Sequence, residues 1–325
     1  VDALIMPRPF LIDTDTASDD AVAIIMALRH PDADVKAITT VCGNMPLEQG
    51  TRNALYTVEL CGMDTPVYMG ASRPLTREPA HAEWFHGRDG LGDMNYPLPT
   101  RQPAQGHAVE VIIETARANP GLVIVTLAPL TNIALALANA PDIVKNVSRC
   151  IVMGGAACTV GNVTPAAEYN IWCDPEAARM VFHSGLPIEM VGWELCRGAA
   201  MLYPDEMAEI RAIGTPLAEF AIDCNRAAFK ASVKQSGEGG LGLPDPVAMA
   251  VALDPAICTR KSRHAVEIET QSDLTRGMTV VDQLNVTGDE RNSALWARAF
   301  HRGNVHVCWE IDVPAWKALL RQSVS

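Results

Sequence analysis

Residues 10–21 read FLIDTDTASDDA, so that an apolar run leads the chain directly into Asp13, Asp15, Asp19 and Asp20. Like charges this close raise one another's pKa or drive the segment apart unless a cation compensates them. A hard divalent metal ion, which takes an all-oxygen shell, is the simplest compensation. Ser18 suits a helix N-cap, and Asp19 and Asp20 suit the positive end of a helix dipole. That accounts for two of the four carboxylates. Asp13 and Asp15, at the end of an apolar strand, would be costly to bury without partners.

Working outward, short apolar and β-branched runs recur at residues 9–12, 35–41, 122–127, 150–153 and 188–191. They alternate with helical patterns at 19–29, 47–60, 107–117, 131–137 and 176–183. Such alternation predicts an α/β fold: a mostly parallel central sheet flanked by helices, Rossmann-like and open. Ligands in such sheets bind at the carboxyl ends of the strands. The residues there are polar: the Asp cluster, then Gly43-Asn44, then residues 128–132, then Gly154-Gly155 leading to Gly161-Asn162. Beyond residue 191 the pattern predicts two helices over 203–229, a Gly-rich loop at 236–243 and a helix at 246–253 entered by Asp245. Strand-like pieces at 265–269, 278–281 and 305–309 and a helix at 314–321 are expected to add C-terminal strands to a single domain spanning 1–325.

A formal net charge of -12 argues against nucleic acid as a partner, because phosphate binding needs a basic stripe. Hydrophobic and charged fractions of 48% and 20% are those of a globular chain. No apolar run is long enough for a membrane span, and the first residues lack the pattern of a secretory signal. Nine scattered cysteines with no C-x-x-C pair fit reduced thiols, and a cytoplasmic location is expected. Of the other readings of the Asp cluster, an EF-hand loop would need a Gly at its sixth position and a Glu at its twelfth, and has neither. A haloacid-dehalogenase-like phosphohydrolase also starts with Asp-x-Asp after a strand. It would leave Asp19 and Asp20 without a role, and its later Lys and acidic pair have no evident place.

The strand followed by D-x-D-x-x-x-D-D resembles the calcium-dependent nucleoside hydrolases, typified by inosine-uridine-preferring nucleoside N-ribohydrolases. The resemblance continues through TTVCGN at 39–44, APLTNIA at 128–134, residues 152–155, Gly161-Asn162 with 167–170, DPEAA at 174–178 and DPVA at 245–248. It implies hydrolysis of ribonucleosides to ribose and free base, in nucleoside salvage, by a homodimer or homotetramer. It implies one Ca2+ held by Asp15, Asp20, Asp245 and the carbonyl of Leu127. Asp15 would activate the water, and Asp13 would orient Asp15 or the metal shell. Asp19, Asn44 and Asn170 would hold the 2′/3′ edge of the sugar, Asn162 and Glu168 its 5′-hydroxyl, with Met153 beside them.

On the base side the chain departs from the pattern. Many members carry a His proton donor immediately before the last calcium-binding Asp, and here that position is Pro244. Members without this His tend toward purines and stack the base on tryptophan, so purine nucleosides are the expected preference. Trp84, Trp193 and Trp172 are the candidate platforms, His86 a candidate donor, and Cys196 and Glu194 further candidates. A non-catalytic nucleoside- or ribose-binding protein is the alternative from a different functional class.

Overall fold

The computed structural model describes residues 7–291 and 303–325. Residues 1–6, part of the stretch read for a secretory signal, lie outside them.

The central strand β1 (Arg8–Thr14) carries the apolar run, and Phe10, Leu11 and Ile12 are fully buried. It pairs in parallel with β2 (Ala33–Thr40) on one side and with β4 (Leu122–Thr126) on the other. A strand covered on both faces by helices has no solvent side, so its sequence runs apolar instead of alternating. The remaining strands are β3 (Val67–Met69), β5 (Val147–Met153), β6 (Ile188–Val191), β7 (Cys258–His264), β8 (Val266–Ile268), β9 (Thr279–Val281) and β10 (Val305–Ile311). Eight of them form one sheet in the order β3-β2-β1-β4-β5-β6-β10-β7. All neighbours are parallel except β10 and β7. The order reverses between β1 and β4, and the crevice at that switch point is where an open sheet of this kind takes a ligand.

The expected C-terminal strands are present, but they divide. β10 joins the main sheet, where β7, a strand that the sequence pattern did not predict, pairs with it at the edge, whereas β8 and β9 form a separate antiparallel pair. The region expected to hold two helices over 203–229 holds three, Pro204–Arg211, Pro216–Asp223 and Arg226–Ser236. Pro204 and Pro216 each open a helix, which breaks the periodicity into shorter pieces. The Gly-rich segment begins only after that third helix, and Leu202 and Leu241 bridge it back to the preceding chain.

Two helices are buried on every side. Every residue from Ser18 to Leu28 of α1 (Ser18–Arg29) is buried, as is every residue from Asp245 to Leu253 of the helix Pro244–Leu253. The two pack against each other. Their small and apolar surfaces explain the packing, and it brings two helix N-termini, each with carboxylates in its first turn, to the same place.

Candidate active site

The site grows from the end of β1. Asp13 lies in register with Thr126 of β4, and the Leu127 amide donates to the Asp13 carbonyl at 2.8 Å. Oδ1 of Asp13 accepts from Thr39 Oγ1 at 2.6 Å and from Asn132 Nδ2 at 2.8 Å, while its Oδ2 is buried with no hydrogen-bond partner. Burial pushes the Asp13 carboxyl up to about 7.

The chain then turns sharply. Thr16 has a φ of 22°, a left-handed conformation that is strained for a β-branched residue. The strain is held by Thr14, whose Oγ1 accepts from the Thr16 amide at 3.0 Å, and by Asn53, whose Nδ2 donates to the Thr16 carbonyl at 2.9 Å. This turn lets Asp15 and Asp20 face the same space. Asp15 accepts from the Asn44 amide through Oδ2, and its Oδ1 is buried without a partner. Asp20 accepts from Thr14 Oγ1 at 2.6 Å and from the Ala17 amide at 2.9 Å. The helix cap therefore comes from Asp20 and not from Ser18, whose hydroxyl instead meets His86 Nδ1 at 2.9 Å.

Oxygens of Asp19, Asp20 and Asp245 lie within 4.8 Å of one another, all three residues buried. Asp15 adjoins this group, and burial and the neighbouring Asp20 charge raise its pKa well above the carboxylate range. Asp245 is raised likewise, by burial first and then by Asp20, Asp19 and Asp15. The largest charges acting on Asp245 are thus those of other carboxylates. Carboxylate oxygens this close together could share one metal ion in an all-oxygen shell. The unpartnered Asp13 and Asp15 oxygens are what a bound cation and its shell would satisfy. The carbonyl of Leu127 accepts from Asn170 Nδ2 at 2.9 Å and retains a second lone pair.

Beside the acidic shell opens a cavity of about 290 Å³. Among the expected site residues Asp19, Asn44, Trp84, His86, Leu127, Met153, Asn162, Glu168, Asn170, Trp193 and Asp245 line it. Asn170 is held by Met153 as well as Leu127, and its Oδ1 is buried without a partner. Glu168 caps the helix Tyr169–Cys173, accepting from the Asn170, Gly155 and Ile171 amides, and burial lifts it to about 7. Asn162 Oδ1 accepts from the Tyr169 amide at 3.0 Å.

On the opposite wall Trp84 and His86 sit on the short helix Glu83–His86, which no sequence pattern announced. Trp84 is 64% exposed at the rim. His86 is buried against Ser18, and desolvation pushes it down to about 3. Trp193 is fixed by donation to the Val160 carbonyl at 2.8 Å. Trp172 does not line the cavity; its ring takes the guanidinium of Arg276 at 4.0 Å. Cys196 lines the cavity, while Glu194 turns to the Ala157 amide. Residues that sequence reasoning passed over as working parts are Thr14, Thr39, Asn53 and Asn132, which hold the carboxylates in place. Only Asn132 carried a signal, as a polar residue after a strand. DPEAA at 174–178 is a brace: Asp174 accepts from Thr131 Oγ1, the Leu75 amide and the Ala177 amide.

Among the described residues no helix is long and apolar enough to cross a membrane, and all nine cysteines are free thiols. The family profile for inosine-uridine preferring nucleoside hydrolases matches residues 10–318. A pyrimidine-specific ribonucleoside hydrolase, RihA, from Salmonella typhimurium is 39% identical over 310 residues, covering 94% of this chain and 98% of that protein. A plant nucleoside hydrolase, PpNRh1, superposes with a TM-score of 0.90 at 31% identity over 98% of this chain and 99% of that one. A purine-preferring ribonucleoside hydrolase from Gardnerella vaginalis gives 0.87 at 31% identity, with 98% of each chain covered. With its end-to-end match to the profile and to these relatives, the chain belongs to the inosine-uridine preferring nucleoside hydrolase family, and the phosphohydrolase reading of its Asp cluster falls away.

Proposed function

We propose that the protein hydrolyses the N-glycosidic bond of ribonucleosides to ribose and free base, with one Ca2+ held by Asp15, Asp20, Asp245 and the Leu127 carbonyl. The observation that carries this reading is the buried shell of carboxylates, in which Asp13 Oδ2 and Asp15 Oδ1 lack partners. Its burial is costly unless a cation joins it. When bound, calcium would supply positive charge that lowers the pKa of a water and grips sugar hydroxyls.

The chain's own residues would do the rest. Asp15 takes the proton of the water that attacks C1′, and Asp13, pinned by Thr39 and Asn132, keeps the end of β1 in place beneath it. The carboxylates face the positive charge that develops on the ribose. Asp19, Asn44 and Asn170 hold the 2′/3′ edge and Asn162 with Glu168 the 5′-hydroxyl. These groups pair hydroxyls and penalise a sugar that lacks one. Trp84, Phe85 and Trp193 make the leaving-group side of the cavity aromatic, which supports a preference for the larger purine ring. The Gardnerella relative is named purine-preferring and the Salmonella relative pyrimidine-specific, so both base classes belong in the assay.

The same reading makes residues 1–325 one domain, acting in nucleoside salvage in the cytoplasm as a homodimer or homotetramer. Its test is release of reducing sugar from inosine, guanosine, adenosine, uridine and cytidine, with calcium and with a chelator. Calcium-dependent release from at least one nucleoside is expected. Tight ribose binding without turnover of any nucleoside or of p-nitrophenyl riboside would replace it with a binding protein.

A further inference from the structure

Breaking a C1′–N bond sends its electron pair onto the departing base, which gathers negative charge as the bond stretches. This inference rests on the glycosidic reading above. Around the cavity that charge meets carboxylates, aromatic rings, uncharged amide and hydroxyl side chains, and His86. Arg197 is the one Lys or Arg among the described residues lining it.

Its position is fixed. The guanidinium lies 4.6 Å from the centroid of the Trp193 ring. Its Nε and Nη2 donate to Glu238 at 3.3 and 3.1 Å. Nη1 has no hydrogen bond among the described residues. A β-carbon built on Gly242 would stand 3.3 Å from Cys196 Sγ, so the Cys196–Arg197 step packs against the segment that leads through Pro244 to Asp245. Arg197, Trp193, Pro244 and Asp245 line one and the same cavity.

We propose that Arg197 is a catalytic residue that donates through Nη1 to the departing base and stabilises it as an anion. It transfers no proton, since a guanidinium stays protonated in proteins. The C1′–N electron pair passes to the base, the water oxygen bonds to C1′, the water proton goes to Asp15, and the base anion takes its proton from solvent. Glu238 offsets part of the charge and orients the guanidinium so that Nη1 remains available.

The test compares leaving groups in the calcium-loaded enzyme. Arg197→Met is expected to lower kcat on inosine and uridine by about 10- to 100-fold, less than for a fully buried donor because Glu238 and solvent screen the charge. On p-nitrophenyl riboside, whose leaving group is already a stable anion, the loss should stay within about threefold. Arg197→Lys should restore part of the nucleoside activity. Equal losses on both substrate types, or no loss on either, would overturn the role. A wild-type protein that cleaves neither substrate would instead remove the glycosidic reading on which it stands.

Discussion

The Ser18 hydroxyl lies 2.9 Å from Nδ1 of His86, both residues buried, and so joins the first turn of α1 to the short helix at the rim of the cavity. Asp19, the next residue on α1, has its Oδ1 3.8 Å from the same nitrogen. The hydrogen bond therefore sets the distance between the sugar side of the site and the wall that carries Trp84.

Ser18→Ala should loosen that wall more than it harms the chemistry. A rise in KM of about 3- to 10-fold with kcat within threefold is expected, the scale of one lost hydrogen bond. Because desolvation drives His86 down to about 3, below its ordinary 6.5, it stays neutral through the working range. No limb of the kcat/KM profile between pH 5 and 8, a range of roughly the usual His titration, should disappear in His86→Asn. A limb that vanishes in this variant would assign His86 an acid role after all.

Calcium should stabilise the fold most at high pH. Asp13 and Asp19 titrate at about 7 in the metal-free shell, above their ordinary 3.8. Between those values the folded chain holds protons that the unfolded chain has lost, so metal-free stability falls as pH rises from about 4 through 7. Melting curves in chelator should drop across that window, and the increase in Tm on adding calcium should be larger at pH 8 than at pH 5. An increase independent of pH would place the ion elsewhere.

Asp15→Asn should separate stability from activity. It removes one negative charge from a buried group of like charges, so the metal-free Tm should rise by a few degrees. Turnover should fall by at least about 1,000-fold, as expected when a base and metal donor are lost together. A variant with near-normal rates would remove Asp15 from water activation.

Gly43→Ala tests the fit of the shell through a residue that bears no chemistry. A β-carbon there would overlap Asp15 Oδ2 and stand 2.7 Å from Pro129 Cδ, so the Asp15 carboxylate must move. The calcium concentration needed for half-maximal activity should rise by at least about tenfold, since a displaced ligand is felt in metal affinity. A circular-dichroism spectrum unchanged from that of the parent protein is the control for general damage.

Much of this architecture is written in local pattern. The apolar run of β1, its repetition in β2, β4, β5 and β6, and the helical stretches between them follow from which residues must leave water, and that alone specifies a parallel α/β sheet. The four Asp residues announced a cation because their mutual repulsion is a property of sequence spacing. Other parts left no such trace. β7 reads CTRKSRH and is largely exposed, because an edge strand needs backbone pairing and charged side chains more than apolar ones. The helix Glu83–His86 is too short for periodicity to register.

The sequence by itself determined most strands of the sheet, the helices between them and the four carboxylates after β1, since apolar patterning and charge spacing are local quantities. Only the tertiary structure decided how they meet. The reversal of strand order between β1 and β4, and the packing of α1 on the helix Pro244–Leu253, bring Asp13, Leu127, Asn170 and Asp245 together. It also decided that Asp20 caps α1, that Ser18 holds a neutral His86, and that Arg197 is the cation at the cavity wall. A hydrogen bond or a desolvation penalty depends on neighbours tens to hundreds of positions away, and no window along the chain contains them.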